Sequence, residues 1–274
     1  MGGFGGNPTG GRWQVLYYFL KHFVLGPWLK LLFRPWLEGG DNVPREGAAV
    51  LISNHLSFSD SIFLPLVLGR RVTFLAKSDY FTTRGIKGLL MRMFFAGTGQ
   101  VPIDRSGGQA SEAALNTGLR ILREGHLLAF YPEGTRSLDG TLFRGRTGAA
   151  RVALHAQVPV IPVGMIATYE AQPTGRILPK LRRVGVRIGK PLDFSRYYGM
   201  ESDRFILRSV TDEMMYEMIQ LTGQRYEDMY ATDAKDAARA REQVPADEPR
   251  GPGEGGGGAA EDERDQGGSS ASGS

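Results

Sequence analysis

This sequence predicts an α/β fold, a sheet flanked by helices and preceded by an amphipathic N-terminal helical hairpin. Two observations carry the prediction. Short apolar runs alternate along the middle of the chain with segments of helical periodicity, the pattern of strands joined by helices. Polar clusters, Asn54-His55, Asp104-Arg105 and Pro132-Glu133-Gly134-Thr135-Arg136, follow directly on three of those runs.

The elements follow in order. Residues 1–11 are mostly glycine and read as a flexible leader. Residues 12–38 hold the most apolar stretch, Trp13–Leu37, broken by Lys21, Lys30 and Arg34 and interrupted at Gly26-Pro27. Its charge-free runs fall well short of the roughly 20 apolar residues that a spanning helix needs. It reads either as a buried helical hairpin or as a hairpin lying in a membrane interface. All three tryptophans, Trp13, Trp28 and Trp36, fall in it beside basic residues, which is the composition of an interfacial anchor. Ala48–Ser53 is a buried-strand signal, and Ser61–Leu68 is helical. Val72–Leu75 and Val101–Ile103 are short strands separated by Ile86–Phe95 at helical spacing. Ser111–Arg123 is an amphipathic helix stopped by Gly125. Leu127–Tyr131 is a strand and Thr147–His155 a helix. Val158–Ile166 is a strand whose Pro159 and Pro162 predict a sheet edge or irregular pairing. Val184–Ile188 alternates as a strand, and Asp203–Leu221 closes the domain as a helix. The α/β domain thus spans 39–231. Residues 232–274 read as an acidic Gly/Ser-rich tail, dispensable for activity, with Ala231–Arg241 as a short polar helix.

Composition narrows the chemistry. There is no cysteine, so disulfides, thiolate metal sites and a cysteine nucleophile are excluded. The net charge of +4 hides an asymmetry: the tail from Asp233 carries −5 and the body +9. So basic a body suits an anionic partner.

Three clusters carry chemistry. In Asn54-His55-Leu56-Ser57-Phe58-Ser59-Asp60, the loop lets Asp60 fold back on His55, fixing its tautomer and leaving Nε2 as a base. A histidine capping a helix or satisfied in the core fits the same pattern. Ser53, Ser57 and Ser59 surround His55, but none lies in a nucleophile elbow. In Gly99-Gln100-Val101-Pro102-Ile103-Asp104-Arg105, Arg105 reads as a phosphate ligand or as the partner of Asp104. In Tyr131–Ser137, Gly134 permits close backbone approach, and Thr135 and Arg136 suit an anion, with Arg144 and Arg146 following at a helix start.

Together with Val158-Pro159-Val160-Ile161-Pro162, these clusters resemble the four ordered blocks of the glycerolipid acyltransferases, most of all the bacterial members that acylate lysophosphatidic acid. The resemblance covers about residues 40–195. It implies a glycerol-3-phosphate acyltransferase-like sheet, with His55 as general base and Asp60 as its orienter. It implies that Arg105 binds the acceptor phosphate, that Glu133, Gly134, Thr135 and Arg136 hold the glycerol phosphate, and that Lys77 matches a family lysine. Tyr80 and the length of Ile86–Ala96 depart from the family pattern.

The implied reaction moves an acyl chain from acyl-CoA or acyl-carrier protein to the sn-2 hydroxyl of lysophosphatidic acid. A thioester is already activated, so the expected site uses no metal, no cofactor and no acyl-enzyme. The expected location is the cytoplasmic membrane face, on anionic lipid, with no nucleic-acid partner. Rival readings are another lysolipid or glycolipid acceptor, a metal-dependent phosphoesterase using His55, Asp60 and Glu133, and a silent membrane-binding protein.

Overall fold

The computed structural model describes residues 15, 17–77, 85, 88, 95, 98–103, 110–176 and 178–243. The leader, Trp13, Tyr80, Asp104, Arg105, most of 86–96 and residues 244–274 lie outside the described residues. The elements are α1 (Leu25–Phe33), β1 (Trp36–Glu38), β2 (Ala49–Ser53), α2 (Asp60–Val67), β3 (Val72–Lys77), β4 (Gln100–Ile103), α3 (Ala110–Arg123), β5 (Leu127–Phe130), β6 (Leu142–Phe143), α4 (Gly148–Ala156), β7 (Val160–Ile166), α5 (Thr168–Ala171), β8 (Gly185–Ile188), α6 (Arg204–Thr222), β9 (Tyr226–Glu227) and α7 (Ala231–Gln243).

Among the described residues, seven strands form one sheet in the order β1-β8-β7-β2-β5-β3-β4. All its pairs are parallel except β7 with β8. The apolar runs of β2, β5 and β7 are buried on both faces, as inner strands of a helix-covered sheet must be. One face packs against α1 and α2 through Phe33, Phe63 and Leu64; the other packs against α3, α4 and α6 through Leu122, Leu154 and Met214. Fully burying a side chain of this size contributes roughly 1.5–3 kcal/mol, so the two layers fix the sheet. Asp203 caps α6 by accepting from the Phe205 and Ile206 N–H groups, and Gly223 in the left-handed region ends it.

Two local expectations are corrected. Gly26-Pro27 does not divide the N-terminal helix: a π-helical turn, Leu20–Val24, runs straight into α1. Proline lacks an N–H, and its ring crowds the preceding turn. The wider turn accommodates it, and the Leu25 N–H reaches back to the Leu20 carbonyl. A side chain at Gly26 would strike the Lys21 carbonyl oxygen at 1.6 Å, so the turn requires glycine there.

Nor is β7 an edge strand, for it lies between β2 and β8. Pro159 precedes it and offers only its carbonyl, to the Val50 N–H. Pro162 faces the β8 side just where β8 has ended, and its carbonyl accepts from Gly189. The missing donor therefore falls beyond the regular ladder.

Candidate active site

β2 delivers its last residues to one edge of the sheet, where Asn54 locks the chain. Its side chain accepts from the Met165 N–H at 2.7 Å and donates to the Met165 carbonyl at 3.1 Å, tying β2 to β7. The next residue, His55, therefore leaves the sheet in a fixed direction.

Asp60 begins α2 and turns back on that loop. Its Oδ2 accepts from the Leu56 N–H at 2.7 Å and the Ser57 N–H at 2.8 Å, and lies 3.0 Å from His55 Nδ1. Two backbone donors fix the carboxylate, so Nδ1 carries the proton and donates to it, leaving the Nε2 lone pair available. The imidazole stacks on Tyr131, with ring centroids 3.8 Å apart and planes 10° apart. The Tyr131 hydroxyl is paired with Ser61 at 2.8 Å. Burial, then the Asp60 charge, pushes that phenol well above its ordinary range, so it stays neutral beside the histidine. Ser57 Oγ is turned to Ser59 and Gln172 rather than to the imidazole.

The segment Pro132–Ser137 follows β5. Gly134 takes φ +75°, and a Cβ there would meet Arg146 at 3.2 Å, so glycine serves both the turn and the close approach. Glu133 is fully buried. Its Oε1 accepts from the His55 N–H and its Oε2 from the Phe143 N–H, each at 3.0 Å. Burial pushes this carboxyl up to about 8, opposed by those two N–H groups. With both oxygens engaged by these N–H groups, its carboxyl ties the His55 loop to the Phe143 loop.

The cleft itself has a volume of about 700 Å³. His55, Gly134, Thr135, Arg136 and Arg146 line its polar part; Phe58, Phe74, Phe95 and Phe130 are among its apolar walls. The structure thus brings His55, Gly134, Thr135 and Arg136 to one cavity, with Asp60 behind His55. Lys77 ends β3 opposite Ile103 of β4, and Ile103 also lines the cleft. Arg105 lies outside the described residues.

One contributor was not anticipated. α7 brings Lys235 Nζ to the Thr135 hydroxyl, across 100 residues of sequence. The preceding segment is stitched down: Arg146 bonds Thr232 at 3.0 Å, and Arg144 and Arg146 sit over the Tyr230 ring. Burial, then the charges of Arg136 and Arg239, pulls the Lys235 ammonium down. These cations gather without a carboxylate salt bridge to Lys235 or Arg136 among the described residues, which favours an incoming anion. The chain therefore passes the boundary expected at 231 and returns to the site. Lys235 carries no motif; only its place in a weak polar helix marked the region.

Residues 35–166 match the acyltransferase family model. The chain is 35% identical over 159 residues to a chloroplastic 1-acyl-sn-glycerol-3-phosphate acyltransferase of Arabidopsis thaliana, covering 56% of this chain and 43% of that protein. It is 26% identical over 153 residues to the 1-acyl-sn-glycerol-3-phosphate acyltransferase of Bacillus subtilis, covering 56% and 70%. The chain spans less than half the length of the plant and algal relatives it matches. Its fold is similar to the crystal structure of the 1-acyl-sn-glycerophosphate acyltransferase of Thermotoga maritima, with a TM-score of 0.55, 23% identity, and coverage of 76% of this chain and 78% of that one.

Proposed function

We propose, from the match of residues 35–166 to the acyltransferase family model, that this chain transfers a fatty acyl chain to the sn-2 hydroxyl of 1-acylglycerol-3-phosphate, forming phosphatidic acid. The acyl donor in this reading is acyl-CoA or acyl-carrier protein. The observation that carries the proposal is the His55–Asp60 pair, with His55 lining a cleft that has one cationic and one apolar part.

His55 Nε2 takes the proton from the acceptor hydroxyl as its oxygen attacks the thioester carbonyl. The C–O bond forms, the tetrahedral intermediate collapses with loss of the thiolate, and the imidazolium returns its proton to the sulfur. Asp60 does not itself become protonated; it holds the tautomer and stabilises the imidazolium. General-base help of this kind supplies roughly 10²–10⁴-fold. Positioning supplies much of the rest: Thr135, Arg136 and Lys235 engage the acceptor phosphate, and the phenylalanine-lined walls take an acyl chain. Arg105 and Lys77 remain proposed acceptor ligands on the resemblance already described. The thioester needs no further activation, so the reading calls on no metal, cofactor or acyl-enzyme.

Membrane docking belongs to the same proposal. Among the described residues no helix is long and apolar enough to cross a membrane. The N-terminal helix exposes Phe23, Trp28 and Leu31 beside Lys30, the composition of an interfacial helix. We place it on the cytoplasmic face of the membrane, on anionic lipid, where the lysolipid resides.

The test is a panel of lysolipids with and without the phosphate, each offered with both thioester donors and read by mass spectrometry. Phosphatidic acid as the main product supports the reading. Turnover confined to a glycolipid or to acceptors without phosphate overturns it.

A further inference from the structure

β7 leaves the sheet at Ile166, and the chain re-enters it only at Gly185. Residues 173–183 in this excursion read PTGRILPKLRR: four cations and no acidic residue. Leu178 is 75% exposed and Leu181 67% exposed. Arg176, Lys180, Arg182 and Arg183 are exposed around them. Isolated exposed leucines are ordinary, but two set among four cations in so short a segment form a patch.

The segment is tied down rather than slack. The Lys180 N–H bonds the Ala171 carbonyl at 2.7 Å, and the Thr174 hydroxyl bonds the Ser137 carbonyl at 2.9 Å. Gln172, just before it, accepts from Ser57 at 3.2 Å, two residues past His55. The leucines are therefore held out in water by a base anchored to the active-site loops.

Strand register fixes which way the patch faces. Ile166 of β7 is level with Gly185 of β8, and Gly185 is level with Trp36 of β1. The Trp36 N–H bonds the Val184 carbonyl at 3.1 Å. The end of the N-terminal helix and the end of segment 173–183 thus meet at one sheet edge. Ser53 is level with Val163 on β7, so His55 emerges at that same edge.

From this juxtaposition we infer that residues 173–183 form a second membrane-docking element, distinct from the N-terminal helix, whose occupant is an anionic bilayer surface. Leu178 and Leu181 enter the acyl region, and Arg176, Lys180, Arg182 and Arg183 meet the lipid phosphates. Charge complementarity selects this occupant: four cations with no counter-charge in the segment demand an anionic surface, and the leucines between them demand an apolar one beneath it. Two contacts beside the site set the cleft's orientation to the bilayer, which one helix alone leaves free to roll.

The full chain lends itself to the test because it has no cysteine. Leu178→Cys is labelled with an environment-sensitive dye. Phe205→Cys is the control, an equally apolar site 84% exposed at the start of α6 in the opposite helical layer. On vesicles of mixed phosphatidylglycerol and phosphatidylcholine, the dye at 178 should shift to the blue and be quenched by brominated acyl chains, while the dye at 205 should not. Each cation near an anionic surface strengthens binding by roughly fivefold. The variant R176Q/K180Q/R182Q/R183Q should therefore float at least about tenfold less well with anionic vesicles, and L178S/L181S should lose the insertion while circular dichroism stays unchanged. A dye at 178 that remains in water on vesicle-bound protein, or a charge variant that floats like the parent, overturns the inference. None of these readouts uses turnover, so their failure leaves acyl transfer standing, and an inactive parent that still inserts residue 178 leaves the docking element standing.

Discussion

Glu133→Gln separates a structural carboxylate from a substrate-binding one. In the parent, its two oxygens take two buried N–H groups, those of His55 and Phe143, each at 3.0 Å. Glutamine offers one acceptor oxygen, so one N–H loses its partner and faces an amide donor. Orphaning a buried donor costs about 1–3 kcal/mol, and Glu133→Ala, which orphans both, about 2–6 kcal/mol. With a urea m-value of about 2 kcal/mol/M, the glutamine variant should unfold about 0.5–1.5 M earlier. Its kcat should fall, because the His55 backbone loses its anchor, while the acceptor KM stays within about twofold. The pH profile gives a second check. Burial raises this carboxyl in the fold to about 8, so the folded state keeps a proton that the unfolded chain releases at ordinary carboxylate pH. The stability it contributes is complete below that range and is lost as pH rises to about 8. The difference in stability between parent and variant should show that slope. Unchanged urea stability together with an acceptor KM raised tenfold or more would refute the structural role.

Other outcomes follow from the same geometry. Asp60→Asn should lower kcat by about 10²–10⁴-fold through the wrong tautomer, measured as thiol release, an assay that the cysteine-free chain does not disturb. Arg136→Ala should raise the acceptor KM by about 10–100-fold, as expected for a charge-assisted phosphate contact worth roughly 1.5–3 kcal/mol; equal damage with an acceptor lacking phosphate would make it structural. Lys235→Ala, or truncation after Thr232, should raise the same KM by about tenfold, whereas truncation after Gln243 should not. Normal kinetics after truncation at Thr232 would show that α7 merely rests on the site.

Much of this was legible in the sequence because the signals are local. The apolar runs that became β2 and β5 stand within a residue or two of their expected bounds, since burial on both faces demands near-continuous apolar residues, and β8 stands as close on its alternation. The His55–Asp60 contact follows from five residues of chain and the start of a helix. What the sequence concealed depends on the third dimension. The helical turn that absorbs Pro27, and the place of Pro162 between two strands, turn on where the neighbouring backbone ends. Glu133 sits in the motif beside Thr135 and Arg136, which line the cleft, yet its own side chain is buried in the protein, which spacing does not reveal. The β6–β9 pairing and Lys235 join segments more than 80 residues apart, with no periodic pattern to announce them.

The role proposed for His55 is that of the base in direct acyl transfer to a phosphorylated lysolipid. It is tested most directly by parent and His55→Ala protein mixed with acyl-CoA, with and without 1-acylglycerol-3-phosphate, and followed by mass spectrometry of both lipid and protein. The expected result is phosphatidic acid from the parent, at least about 10²-fold less from the variant at unchanged stability, and a protein mass unaltered by acyl-CoA alone. Near-normal phosphatidic acid from His55→Ala, or a stoichiometric acyl adduct lost on mutating Ser57 or Ser59, would contradict it.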